Sequence, residues 1–259
     1  MPPIRLRRST GRVGPSRRAH TTTAVQVLAT RSNASRARQS ARNVMSPPVG
    51  YLMVSIEPPN FADMRIGILG AGNMAAALGT HWVRAGHEVM VSGRDPGRAR
   101  ETAERIGGQA GDWAQAAQFG EVVLLAVLAD GVPDVLAATE LAGKVVIDCT
   151  NAVVQGRWTL ATPAMAESVA AKSGARVVKA FNLCPDELWR QTPPPVAVPL
   201  CGDDPEAMDI VRGLVVDVGC VAVDGGGLER AALFEATAAV VIGLAVQGVE
   251  PRGILPVVG

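Results

Sequence analysis

The sequence predicts a doubly wound α/β fold, a parallel sheet with helices on both faces, on three observations. From Met64 onward, short and nearly continuous apolar runs alternate with helical patterns, as parallel strands joined by crossover helices require. The runs are rich in valine, isoleucine and leucine, as strands buried on both faces must be. Several of the intervening segments end in glycine, which readily takes the left-handed conformation that closes a helix.

Taken in order, RIGILG (65–70) is the first strand, because three of its six residues are isoleucine or leucine and a turn-forming glycine ends it. NMAAALGTHWVRAG (73–86) follows as a helix, alanine-rich at its start and closed by Gly86. HEVMVS (87–92), EVVLLAV (121–127), KVVIDCT (144–150) and ARVVKAF (175–181) supply four more buried strands. Between them PGRARETAERIGG (96–108), DWAQAAQFG (112–120), DGVPDVLAATELAG (130–143) and PAMAESVAAKSG (163–174) read as helices. Two of these begin at Pro, which the first turn tolerates because its N–H has no partner there.

Beyond Asn182 the pattern loosens. TPPPVAVPLCGDD is too rich in proline for the start of a central strand, so VAVPLCG (196–202) is expected at an edge. A helix (205–219), a strand (220–225) and a long apolar helix (228–248) follow. Residues 64–183 are therefore expected to form the main domain, and 184–259 a small C-terminal α/β cap continuing the same body.

The turn after the first strand carries the most specific motif. Gly70, Gly72 and Ala75 stand in G-x-G-x-x-A spacing between a predicted strand and a predicted helix. The first glycine permits the tight turn, the second lets the backbone approach a pyrophosphate, and the small third residue lets helix and strand pack closely. The helix N-terminus offers free N–H groups and a partial positive charge to the anion. Read without a ligand, the same pattern is a tight βα turn. In this context it predicts a Rossmann-type dinucleotide site.

The second strand indicates which dinucleotide. An NAD site expects an acid at its end, to bond the ribose 2′-hydroxyl. Here Ser92 holds that position, Gly93 and Arg94 follow, and Arg98 lies four residues beyond Arg94. Two planar guanidiniums suit a 2′-phosphate, although Asp95 would partly neutralise them. The expected nucleotide is NADP(H).

Composition excludes other classes. Aromatics are only 3% of the chain, too few for the stacking platforms that hold single-stranded nucleic acid. The four cysteines, Cys149, Cys184, Cys201 and Cys220, show no C-x-x-C spacing, so no metal site is expected, and buried thiols in a reducing cytoplasm are. The apolar stretch ALFEATAAVVIGLAVQGV is interrupted by Glu235 and reads as a buried helix rather than a membrane span. Residues 1–63 hold ten arginines against Glu57 and Asp63. Such a leader fits an organellar transit peptide, a stretch that binds phosphates or anionic lipid, or residues preceding a true start at Met45, Met53 or Met64. In each case it is expected to carry no fold.

Further segments carry a family resemblance. LLAV (124–127), GKVVIDCTN (143–151), VVKAFN (177–182), PLCGDDPEA (199–207) and GGGLERAALFEA (225–236) resemble the NADPH-dependent reductases of the deazaflavin coenzyme F420. They are also similar to the cytosolic reductase domain of transmembrane metalloreductases. The resemblance runs from Met64 to about Gln247 and implies hydride transfer between NADP(H) and a second redox cofactor, coenzyme F420 or a flavin. It places Ala71, Gly72, Asn73 and Met74 at the pyrophosphate, and Arg94 and Arg98 at the 2′-phosphate. Where the family commonly reads Gly-Ser-Arg, this chain reads Ser92-Gly93-Arg94. Ala126, Val127 and Leu128 match the wall beside the nicotinamide, with Leu128 where an aromatic is often found. Thr150, Asn151 and Ala180 match strand ends bordering the nicotinamide.

No catalytic acid or base is expected, since hydride transfer between two held rings needs none. His81 and His87, flanking the first helix, read as surface or packing residues. Lys179 reads as a salt-bridge residue facing away from Ala180, as strand alternation requires. The turn GAGNMAAAL also resembles pyrroline-5-carboxylate reductases, imine reductases with a longer helical C-terminal domain. A sensor that binds NADP(H) without turnover is the third reading. A homodimer is expected as the commonest assembly.

Overall fold

The computed structural model describes residues 63–162, 164–192 and 196–249. The arginine-rich stretch 1–62 lies outside them. Eight strands form one sheet: β1 (Arg65–Leu69), β2 (Glu88–Ser92), β3 (Gln109–Gly111), β4 (Val122–Leu125), β5 (Val145–Asp148), β8 (Arg176–Lys179), β9 (Ala197–Gly202) and β10 (Val221–Asp224). Their order is β10-β9-β8-β5-β4-β1-β2-β3. The six strands from β3 to β8 are all parallel, in the doubly wound order that reverses between β1 and β4. A separate hairpin pairs β6 (Val153–Val154) with β7 (Thr159–Leu160).

Helices α1 (Asn73–Ala85), α2 (Pro96–Ile106), α3 (Trp113–Phe119), α4 (Val132–Ala137), α5 (Met165–Ser173), α6 (Asp186–Trp189), α7 (Pro205–Asp217) and α8 (Ala231–Val246) complete the fold. Two buried clusters lie on opposite faces of the sheet. One joins Ile66 and Ile68 to Leu78, Trp82, Ile106 and Leu214; the other joins Leu69, Val123 and Leu125 to Ala116, Val135 and Val169. Alternate residues of β1 and β4 therefore serve different cores, which explains their unbroken apolarity. At Gly67 a Cβ would lie 2.0 Å from the Ala116 carbonyl oxygen, so glycine lets α3 pack directly on β1.

The five expected buried strands are present. VAVPLCG is not at the edge: β9 runs antiparallel to β8, and β10 covers its other side in parallel. Pro199 pairs with Val223 of β10 but lies outside the β8–β9 pairing, which engages only Cys201 and Gly202 of β9. Strand β3 and the β6–β7 hairpin were not anticipated, for both are too short to show a period. The helix expected over 130–143 is only Val132–Ala137; beyond it the chain turns Leu141 into the core, where it is 2% exposed.

Candidate functional site

The β1–α1 turn lies where the strand order reverses, wedged between the ends of β2 and β4. The Gly70 N–H donates to the Ser92 carbonyl at 2.9 Å, and the Ala126 N–H donates to the Leu69 carbonyl at 2.9 Å. Gly70 has φ +139°, and a Cβ on it would stand 2.2 Å from the Ala126 carbonyl oxygen. Glycine is required here by the fold itself. Gly72 differs: a Cβ on it would meet nothing within 4 Å. It is the N-cap of α1 and makes no side-chain cap, and the first turn holds no acid. The first turn of α1 therefore carries an uncompensated partial positive charge next to the open space at Gly72. Asn73 and Met74 begin α1, Asn73 exposed and Met74 half-buried.

The end of β2 leans on the same turn. The Arg98 Nε–H donates to the Ala71 carbonyl at 3.2 Å and the Thr102 hydroxyl donates to it at 3.3 Å, which fastens α2 to the glycine turn. Arg94 and Arg98 are both exposed. Asp95, expected to dilute their charge, instead caps α2, accepting from the Gly97 and Arg98 N–H groups. Gly93 stands against Ala71, with a Cβ there only 3.2 Å from the alanine Cβ. Ser92 is fully buried and its hydroxyl donates to the Ile68 carbonyl at 2.8 Å. Its proton is thus committed to the sheet, which corrects the expectation of a nucleotide contact through that hydroxyl.

Across the crevice, Ala126 and Val127 are half-buried and Leu128 is 75% exposed. At the ends of β5 and β8 the chain builds a polar floor. The Asn151 amide donates to the Asn182 carbonyl at 2.7 Å, and the Asn182 amide donates to Asn151 Oδ1 at 3.0 Å. This reciprocal pair ties the two strand ends together. Between them, Ala180 is fully buried and Phe181 takes φ +63°, its ring packed edge-on to Trp82 and Trp189. Thr150 is 4% exposed, and its hydroxyl has no hydrogen-bond partner among the described residues.

Behind that floor sits a buried ionic cluster. The Lys179 ammonium donates to Asp148 Oδ2 at 3.0 Å, to Glu235 Oε1 at 2.8 Å and to the Thr150 carbonyl at 2.6 Å. All three of its protons are thereby used. Burial disfavours the charged form, but Asp148 and Glu235 outweigh it and hold the Lys179 pKa above the usual lysine value. Asp148 also accepts from the Thr150 N–H at 2.8 Å. Glu235 accepts from the Met165 and Ala166 N–H groups at the start of α5. The expected salt bridge of Lys179 is present. Glu235, read only as an interruption of an apolar helix, is the partner the sequence did not reveal.

The remaining titratable groups lie elsewhere. His81 and His87 are both buried, not on the surface, and His81 lies within α1. The His81 Nε2–H donates to the Trp189 carbonyl at 2.6 Å, and the His87 Nε2–H donates to Asp217 at 3.0 Å. Desolvation, with Arg84 assisting, lowers the His81 pKa below its usual 6.5. The unfolded chain therefore binds the proton first, so stability falls as pH drops through about 6.5 toward the folded value. His81→Gln should flatten this acid-side slope, measured as urea midpoints at pH 7.5 and 5.5; an unchanged slope would refute it. Burial likewise pushes the Cys149 and Cys220 thiols up to about 12 and Cys201 to about 11, where little thiolate exists at neutral pH. Among the described residues, no helix is long and apolar enough to cross a membrane, and no group of His, Cys, Asp and Glu could hold a metal ion.

Residues 65–152, which span the glycine turn, the β2 end and the Thr150–Asn151 floor, match the model of the family described as NADP oxidoreductase, coenzyme F420-dependent. That match covers about a third of the chain. The F420-dependent NADP oxidoreductase match ends before β8, and other relatives extend the likeness beyond it. The metalloreductase STEAP3 of Rattus norvegicus is 31% identical over 178 residues, 66% of this chain and 36% of that protein. The chain thus matches about a third of the length of this curated relative. A hypothetical protein of Sinorhizobium meliloti, of known structure, is 27% identical with TM-score 0.59, covering 66% of this chain and 88% of its own. A reductive aminase of Aspergillus terreus, solved with NADPH4, cyclohexanone and allyl amine, shares the fold at 20% identity and TM-score 0.57, over 72% of this chain and 63% of its own. The matched segment is thus similar to a family of NADP oxidoreductases, and the fold is shared with a reductase solved with its nicotinamide cofactor.

Proposed function

We propose that the protein transfers a hydride between NADP(H) and a second small redox cofactor, coenzyme F420 or a flavin. The observation that carries this reading is the open space over Gly72 at an uncapped helix N-terminus, since a βα turn serving the fold alone has no need of glycine there. The main-chain N–H groups at Gly72, Asn73 and Met74 would hold the pyrophosphate. Arg94 and Arg98 would clasp the 2′-phosphate, the latter already docked on the turn it serves. Ala126, Val127, Thr150, Asn151 and Ala180 would line the nicotinamide half.

Once bound, the nicotinamide would give or take the hydride, and the protein's task would be to hold it in place and exclude water. No side chain need act as acid or base. Leu128, exposed at the mouth of the crevice, offers an apolar wall to the second ring. A homodimer fits the reading: apart from Glu235 and Thr237, α8 is apolar, burying mainly small residues while Leu233, Val240 and Val246 remain exposed. A helix of that kind is normally covered all round, and sedimentation equilibrium of the full chain should show two copies. Three of its thiols, Cys149, Cys201 and Cys220, are buried, which suits a reducing cytoplasm.

The deciding experiment is anaerobic oxidation of NADPH and NADH with oxidised F420, FMN and FAD. Fast, NADPH-selective reduction of one acceptor supports the reading; tight NADPH binding with no turnover on any of them overturns it in favour of a sensor or an imine substrate. Arg94→Ala should weaken NADPH binding by ~1.5–3 kcal/mol, the scale of a lost charged hydrogen bond, and leave NADH nearly unchanged. Equal losses for both nucleotides would remove Arg94 from the 2′-phosphate.

A further inference from the structure

Two features of the cluster behind the nicotinamide floor are not explained by stability alone. Replacing a buried ion pair by apolar residues of similar volume is often neutral or stabilising, so burying a lysine and two carboxylates is a poor way to stabilise a core. One of the three Lys179 protons goes to a main-chain carbonyl, that of Thr150, rather than to a charge. Thr150 is held a second time, by its own N–H on Asp148. Its peptide units are therefore fixed from both sides by one cluster, while its hydroxyl, buried at the carboxyl end of β5, has no partner among the described residues. An unpaired buried hydroxyl costs free energy, and at a ligand-bearing strand end the natural partner is a polar group of the ligand.

We propose that Asp148, Lys179 and Glu235 act together as a positioning device, in which Lys179 grips the Thr150 carbonyl and so sets the Thr150 hydroxyl against the carboxamide of the nicotinamide. The inference rests on the dinucleotide reading and adds to it the group that recognises the nicotinamide half. Glu235 brings the last helix into the device: its carboxylate anchors Lys179 and the start of α5 at once. Distortion of α8 would then be felt at the nicotinamide and not at the adenosine end.

The test compares two probes on the full chain by titration calorimetry: NADP+, and 2′,5′-ADP, which has the 2′-phosphate but no nicotinamide. Thr150→Val keeps shape and burial and removes the hydroxyl; Lys179→Met removes the grip. The expected result is NADP+ binding weakened about tenfold in both variants, with 2′,5′-ADP held within twofold of wild type. If Lys179→Met does not fold, Thr150→Val and the milder Glu235→Gln carry the same comparison, with about a threefold selective loss expected for the latter. Loss of both probes together in a folded variant, or loss of neither, overturns the positioning role. Failure of wild-type protein to bind either probe overturns the dinucleotide reading itself, and this inference with it.

Discussion

Gly70→Ala should cost the protein about 3 kcal/mol or more of folding stability, whereas Gly72→Val should leave stability within ~1 kcal/mol of wild type and abolish NADPH binding. The two glycines are separated by one residue and belong to one motif, yet they are required for different reasons. At Gly70, a side chain meets both a left-handed φ of +139° and the Ala126 carbonyl at 2.2 Å. That carbonyl belongs to the end of β4, which the Ala126–Leu69 hydrogen bond fixes in place, so the clash cannot be relieved by a flexible neighbour. At Gly72 the backbone is extended, φ −87° and ψ −170°, and the space beyond is open. Valine fits the protein there and occupies the approach of the pyrophosphate. Urea denaturation and NADPH fluorescence titration on both variants make the comparison. A folded Gly72→Val protein with normal affinity would remove the turn from the nucleotide site. A Gly70→Ala protein of wild-type stability would show that the β1–β4 wedge is softer than its geometry implies.

Glu235→Ala should be the most damaging change in the C-terminal helix, at about 3–5 kcal/mol, the cost of breaking a buried ion pair by deleting one partner. Two losses coincide. Lys179 keeps only Asp148 as counter-charge in a site that is 1% exposed, and the Met165 and Ala166 N–H groups at the start of α5 lose their acceptor. Thr237→Ala, two residues further along on the exposed side of the same helix, should change stability by no more than about 0.5 kcal/mol. Urea midpoints for the pair provide the check, and similar losses in both would mean that helix propensity, not the ionic cluster, holds α8.

Much of the site can be read from contiguous sequence. The turn Gly70–Asn73 follows a strand and opens a helix, and the missing acid at Ser92 with Arg94 and Arg98 beyond it lies within a few residues of one strand end. Each of these readings depends on geometry that the local chain imposes by itself. Ser92 marks the limit of that approach: its place in the sequence is that of a ribose contact, but its buried side chain turns inward to the Ile68 carbonyl. That bond depends on which strand pairs beside β2, and its acceptor on β1 is 24 residues away in the chain.

The C-terminal half shows the same division. Proline in VAVPLCG pointed to an edge strand, but β10 paired with the strand and moved it inside the sheet. Sequence by itself determined the alternation of strands and helices, the glycine turn and the basic end of β2, because turn chemistry and hydrophobic period act over a few residues. Only the tertiary structure decided that Lys179 meets Asp148 across 31 residues and Glu235 across 56, and that Asn151 pairs with Asn182. A buried charge is tolerated only where its counter-charge arrives, and the packing of β8 on β5 and of α8 beneath them sets that arrival.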